Sequence, residues 1–266
     1  MRISRVHLAA FSPCGTTLAA LRRIAAGFSL PVTEHDLTLP AARKTPLAFG
    51  PDELVCIAFP VYGGRLPRNA GDIFAVLQGA DTPALLVAVY GNRDYEDALL
   101  ETQREAEARG FVPIAATAAV AEHCMAPNVA AGRPDATDAA ILAQFGTAVE
   151  AHAASLPNAA AAQFTAPGEF PYRKAINPAR GAPRAEEGCT RCGACVKVCP
   201  TGAISAETPE KADDEACIRC MACIKACPEA VRKPGIPEFA QIVSWLQDNC
   251  AARREPEFFP EAVRPR

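Results

Sequence analysis

The stretch from Cys189 to Pro228 constrains this chain most. It holds two copies of one pattern, Cys189, Cys192, Cys195, Cys199-Pro200 and Cys217, Cys220, Cys223, Cys227-Pro228, each of the form C-x2-C-x2-C-x3-C-P. Even the flanks repeat, Cys-Thr-Arg-Cys-Gly-Ala-Cys against Cys-Ile-Arg-Cys-Met-Ala-Cys. The short spacers wrap a tight loop around three thiols, and the Cys-Pro step carries the chain away because proline cannot continue a hydrogen-bonded element. Thiols in such density serve iron–sulfur clusters, structural zinc, which wants four ligands per site in C-x2-C pairs, or a disulfide scaffold.

The double run closely resembles the bacterial two-cluster ferredoxins. That resemblance implies two [4Fe–4S] clusters, with three cysteines of each run on one cluster and the fourth crossing to the other. It assigns Cys189, Cys192, Cys195 and Cys227 to the first cluster. Cys217, Cys220, Cys223 and Cys199 go to the second. The crossing ties the two halves into one small α+β unit.

The chain has 266 residues, half of them hydrophobic, enough for a real core beside the cysteine unit. A net charge of −3 is too small to suggest nucleic acid or an anionic membrane as partner. No apolar run reaches the ~18 residues of a membrane span, and Arg2–Ala10 is too short for a signal-peptide core with a cleavage site. Beyond the two runs, Cys14, Cys56, Cys124 and Cys250 are scattered and read as free thiols of a reducing cytoplasm.

Residues 1–156 alternate strand-like and helix-like segments, which predicts a doubly wound, five-stranded parallel sheet. The strands are expected at Ile3–Ala10, Pro31–Leu39, Glu53–Phe59, Ala84–Tyr90 and Phe111–Val120. Helices are expected at Leu18–Gly27, Pro67–Leu77, Asp94–Arg109 and Asp135–Ser155. Neither G-x-G-x-x-G nor G-x-x-x-x-G-K-[ST] occurs at the first turn, so the NAD and ATP signatures are missing.

Instead, Phe11-Ser12-Pro13-Cys14-Gly15-Thr16-Thr17 is a hydroxyl- and glycine-rich turn that resembles the phosphate loop of flavodoxins. Two further loops match in kind the flavodoxin loops that sandwich a flavin ring: Pro60-Val-Tyr62-Gly63-Gly64-Arg65 and Tyr90-Gly91-Asn92-Arg93-Asp94-Tyr95. The resemblance implies FMN held by Ser12, Cys14, Gly15, Thr16, Thr17, Pro60, Tyr62, Gly63, Gly64, Gly91, Asn92, Arg93 and Tyr95. Tyr62 and Tyr95 would stack on the ring, and the glycines would let backbone approach it. Two departures stand out: Cys14 replaces a usual hydroxyl, and Arg65, Arg68 and Arg93 replace the usual acidic surround. His123 follows the fifth strand on the ligand-binding edge, where a loop histidine commonly makes a structural hydrogen bond.

Residues 157–187 read as a Pro/Ala-rich connector, part of which should lie on the first domain to cover Phe164, Phe170 and Tyr172. Residues 188–232 form the cluster domain. In 233–266, Phe239, Ile242, Val243 and Leu246 make a helical stripe expected to cover the cluster unit, and Arg253–Arg266 is expected to fray. The whole resembles a flavodoxin–ferredoxin fusion. An electron-transfer protein coupling two [4Fe–4S] clusters to FMN and working with redox partner proteins is the leading reading. The alternatives are an FMN-dependent reductase of a small, anionic substrate fed through the clusters, and a regulatory module with structural or oxygen-sensing clusters.

Overall fold

Glu53–Pro60 and Thr82–Tyr90 are nearly unbroken apolar runs, and buried parallel strands demand that composition. They form the centre of the sheet. The structure, a computed structural model, describes residues 1–176 and 181–265; Pro178 of the expected connector and Arg266 of the tail lie outside the described residues.

In chain order the elements are β1 (Arg5–Ala10), α1 (Thr16–Ala25), β2 (Val32–Asp36), β3 (Leu47–Phe49), β4 (Glu53–Pro60), α2 (Ala70–Phe74), β5 (Leu77–Gly79), β6 (Thr82–Tyr90), α3 (Ala98–Glu107), β7 (Phe111–Val120) and α4 (Ala136–Ser155). After the connector come β8 (Arg184–Ala185), α5 (Ala194–Lys197), α6 (Ala222–Lys225), β9 (Arg232–Lys233), α7 (Phe239–Asn249) and β10 (Glu257–Phe259). The main sheet has the order β10-β7-β6-β4-β1-β2. Its five parallel strands, numbered among themselves, run 2-1-3-4-5, the flavodoxin-like doubly wound order. β1 pairs with both β2 and β4, so the order reverses there. Ligands of open α/β sheets bind beyond the strand carboxyl ends at that reversal.

One face of the sheet buries Phe11, Phe59, Phe74 and Phe111, and the other buries Leu21, Ile24, Phe145 and Val149 under α1 and α4. The first of these cores does not stop at the sheet. It continues into Ile218, Cys220 and Ala222, so one loop of the cysteine unit shares the apolar core of the α/β domain.

Four expectations change. The sheet gains a sixth, antiparallel strand, because Glu257–Phe259 pairs with Ala116–Ala118 and Phe258 is buried there; the tail is docked rather than frayed. The helix expected over Pro67–Leu77 shortens to Ala70–Phe74, since Leu77 leaves to pair with Leu47 in a small two-stranded sheet. The helix expected from Asp94 begins at Ala98, because the fully buried Asp97 accepts the backbone N–H groups of Glu169 and Arg173 and straps the connector down. Finally, Val243 and Leu246 of α7 pack on Ala126 and Val129 after β7, so the stripe covers the α/β domain rather than the cysteine unit.

The connector lies on α3 as expected. Ala166 is buried in the core, Tyr172 stacks under the Arg65 guanidinium at 3.9 Å, and Phe170 stacks under Arg104 at 4.0 Å.

Candidate functional site

The first turn is shaped by Gly15, which sits at φ 82 as the residue before α1. Only glycine adopts that geometry without penalty. The Ser12 hydroxyl accepts from Leu18 N–H at 2.9 Å, and its own N–H donates to Thr38 Oγ1 at 2.8 Å. These bonds fix the loop so that the N–H groups of Thr16 and Thr17, first in the helix, have no intrahelical acceptor. Donors at a helix start are where a phosphate group binds. Cys14 is already partnered: its thiol donates to the Cys220 carbonyl at 2.9 Å.

Pro13, Cys14, Thr16 and Thr17 line a narrow cleft together with Pro60, Tyr62, Gly91, His123 and Cys124. That cleft runs into a larger cavity of about 270 Å³, with Val61, Tyr62, His123 and Cys124 shared between the two. The cavity is closed on other sides by Gly63, Arg68 and Arg93, by Ile242 and Trp245 of α7, and by Cys217, Ile218 and Arg219 of the cysteine unit. A helix N-terminus thus leads into an apolar cavity beside a tyrosine.

Some expected residues are not at this cavity. The Asn92 amide donates to the Cys250 and Ala252 carbonyls at 2.7 Å each and accepts from Arg254 N–H at 3.2 Å, so it holds the tail. Tyr95 lines neither space; its ring meets Tyr90 edge-on and its hydroxyl bonds Glu257 of β10. Gly64 has no room for a side chain because Glu96 crowds it, while Gly91, crowded by the His123 ring, stays in the cleft lining. Arg65 makes a buried two-pronged pair with Glu101, both contacts 2.8 Å, and lies outside the cavity lining.

Arg68 and Arg93 do face the cavity. Arg68 donates to the Cys217 carbonyl at 3.1 Å. Arg93 pairs with Glu96 at 3.0 Å, and its Nη2 is buried with no hydrogen-bond partner among the described residues. His123 was expected to make a structural hydrogen bond, and its Nδ1 accepts from the N–H groups of Met125 and Ala126 at 3.2 and 3.3 Å. That leaves Nε2 carrying the proton. Burial, with help from Arg93, holds the ring near a pKa of about 4, so it is neutral at neutral pH and serves as a donor. Burial, followed by the neighbouring Cys220, also raises the Tyr62 hydroxyl well above its ordinary range. Trp245 and Cys124 are cavity residues that sequence reasoning did not assign. Trp245 follows Ile242 on one helix face, which was the available signal.

In the cysteine unit, Arg191 and Gly193 occupy the left-handed region, and Arg219 and Met221 repeat them in the second run. These alternations turn the backbone around each set of three thiols. Cys189, Cys192, Cys195 and Cys227 line one space, and Cys199, Cys217, Cys220 and Cys223 line a second. Among the described residues no group of three or more His, Cys, Asp or Glu is placed to hold a single metal ion. Four thiols line each space, the all-sulfur donor set that iron–sulfur clusters use. Burial raises the Cys227 thiol, but the backbone of Val231, Arg232, Glu229 and Ala230 together lowers it further, so its pKa is drawn down. For Cys223, burial raises the thiol and the Arg232 guanidinium opposes it.

Residues 183–228 match the family of 4Fe-4S dicluster domains. No curated protein matches the chain in sequence. Among solved structures it is similar to the Streptococcus pneumonia TIGR4 flavodoxin, with 17% identity, a TM-score of 0.37, and coverage of 58% of this chain and 99% of that one. It is also similar to a putative flavoprotein from Bacteroides uniformis ATCC 8492 (14% identity, TM-score 0.29, 45% and 90% covered) and to the Trp repressor binding protein from Bacillus subtilis (14%, 0.28, 53% and 95%).

The chain is a flavodoxin-like α/β domain joined to a ferredoxin-type dicluster domain. The dicluster match points to iron–sulfur clusters at the two cysteine runs. No helix among the described residues is long and apolar enough to cross a membrane.

Proposed function

We propose that this protein carries electrons between two [4Fe–4S] clusters and FMN. Residues 1–156 would hold the flavin, 188–232 the clusters, 157–187 the connector, and 233–266 a helix and tail that close the cavity. The observation that carries the reading is a shared wall. Cys217, Ile218 and Arg219 of the second cysteine set line the same cavity as Tyr62, and Cys14 of the first turn bonds the Cys220 carbonyl at 2.9 Å. A carrier beside Tyr62 and a cluster on Cys199, Cys217, Cys220 and Cys223 would therefore be near neighbours. Cys189, Cys192, Cys195 and Cys227 lie on the more exposed side, where Cys192 meets solvent and a partner protein could deliver electrons.

FMN, when bound, exchanges electrons singly or in pairs, whereas a cluster exchanges them singly. This chain's residues supply the surroundings. Thr16 and Thr17 N–H groups would bind the phosphate, Tyr62 would pack on the ring, and His123 Nε2–H offers a fixed donor. Gly63, at φ 64 with open space where a Cβ would stand, leaves its backbone free to approach the ring. Trp245 and Ile242 line the far side.

Arg93 Nη2, buried and without a hydrogen-bond partner among the described residues, favours a second reading in which the cavity takes a small anionic substrate. The mostly apolar lining, with Val61, Leu66, Ile218, Ile236 and Ile242, favours a ring system over a second, charged molecule. The test is anaerobic reconstitution followed by assay of iron, sulfide and flavin. The proposal expects four irons and four sulfides for each of two clusters, with one FMN per chain. Zinc at the thiols or no flavin uptake would overturn it. Rapid reoxidation of the reduced protein by a small anion, with none by a protein acceptor, would select the reductase.

A further inference from the structure

Arg232 opens β9, between Val231 and the exposed Lys233, and nothing in its sequence neighbourhood marks it out. Yet its side chain is among the largest fully buried ones in the protein, only 2% exposed. Its Nη1 donates to the Pro209 carbonyl at 2.6 Å and faces Cys195 Sγ at 3.8 Å. Its Nη2 donates to the Pro183 carbonyl at 2.9 Å, and Nε is buried with no hydrogen-bond partner among the described residues. Its strand, β9, also packs against α6, the helix that carries Cys223 of the second set. Among the described residues no carboxylate pairs with it.

A guanidinium is a permanent cation, and burying one without a counter-charge is strongly unfavourable. The two carbonyls satisfy donors but supply no charge. The remaining neighbours are thiols, one from each cysteine set: Cys195 lines the first space and Cys223 the second. Each fully ligated cluster brings four thiolates and a net negative charge that grows by one on reduction. We propose that Arg232 is the charge partner shared by the two clusters, favouring the reduced form of both. The planar fork explains why arginine stands here: it reaches Pro183, Pro209 and a thiol in different directions at once, which the single ammonium of lysine cannot do.

This inference rests on the two-cluster reading above, and its test separates the two. The unaltered full-length chain is purified anaerobically, assayed for iron, and titrated with a chemical reductant while each cluster is followed by electron paramagnetic resonance. If it does not load two clusters, the function proposed above fails, independently of Arg232. With two clusters loaded, Arg232→Met should lower the reduced-to-oxidised ratio of both at a fixed potential by at least tenfold, which is about 59 mV for a one-electron couple. Arg232→Lys, which keeps the charge, should shift each ratio by less than threefold. A methionine variant that titrates like the unaltered protein, or that shifts one cluster alone, refutes a shared electrostatic role. If the methionine variant loses iron, Arg232→Gln and Arg232→Lys decide. Retention of both clusters by lysine and loss by glutamine supports the charge; loss by both, or retention by glutamine with unchanged ratios, reduces Arg232 to a structural staple.

Discussion

Asn92 offers a clean perturbation because its side chain joins the loop after β6 to the C-terminal tail. It is 2% exposed, sits at φ 62, and makes three hydrogen bonds to Cys250, Ala252 and Arg254. Three bonds at about 0.5–1.5 kcal/mol each contribute about 1.5–4.5 kcal/mol. Alanine at a positive φ adds roughly 1 kcal/mol of strain, whereas glycine adds none there. Asn92→Ala should therefore destabilise tail docking by about 3–5 kcal/mol, and Asn92→Gly by about 1 kcal/mol less. Bound cofactors spoil two-state unfolding, so the readout must be local. Amide hydrogen exchange across 250–260, measured by mass spectrometry on the cofactor-loaded protein, should accelerate at least a hundredfold in the alanine variant, since each tenfold corresponds to about 1.4 kcal/mol. Acceleration below tenfold in both variants would refute the anchoring role. Unchanged exchange with a hundredfold loss of FMN affinity would return Asn92 to the flavin contacts that its loop position suggests.

Asn92 also shows why part of the site was legible in sequence and part was not. The cysteine spacings specify their own local geometry, because a three-thiol loop needs only a few consecutive residues and a few left-handed φ angles. The parallel strands were legible for a related reason: burial on both faces forces a continuous apolar run, as in β4 and β6. The loops after β4 and β6 were placed correctly at the sheet edge, but which of their side chains face inward depends on distant segments. Tyr95 and Asn92 turn toward β10 and the tail, which arrive from more than 150 residues away. The tail looked frayed because Arg253–Arg266 is rich in charge and proline. Its docking rests on one buried phenylalanine, Phe258, and on partners such as Asp135, Asp138 and Asn92 that no local pattern reveals. Arg232 is the extreme case: a charged residue beside a lysine reads as surface, and only the assembled unit shows it facing two thiol sets.

Three other outcomes test the site. Cys199→Ala, removing one thiol from the space lined by Cys217, Cys220 and Cys223, should lose roughly half the iron on anaerobic purification, and full retention would break the crossed ligand assignment. Thr16→Ala with Thr17→Ala should weaken FMN by up to a few kcal/mol, since hydrogen bonds to charged groups contribute about 1.5–3 each; an unchanged dissociation constant would leave the phosphate to backbone N–H groups alone. The last concerns pH. His123 has its pKa lowered by burial and then by Arg93, from 6.5 to about 4, so between those values the unfolded chain binds a proton that the folded chain refuses. Stability is then full above about pH 6.5 and falls as the pH drops toward 4, by up to about 3 kcal/mol at about 1.36 per unit. His123→Gln, which removes the titrating group, should flatten that slope in apo-protein unfolding measured from pH 4 to 7. If the slope is unchanged in the glutamine variant, the acid sensitivity belongs to carboxylates elsewhere, and His123 is not the buried neutral donor described for the cavity.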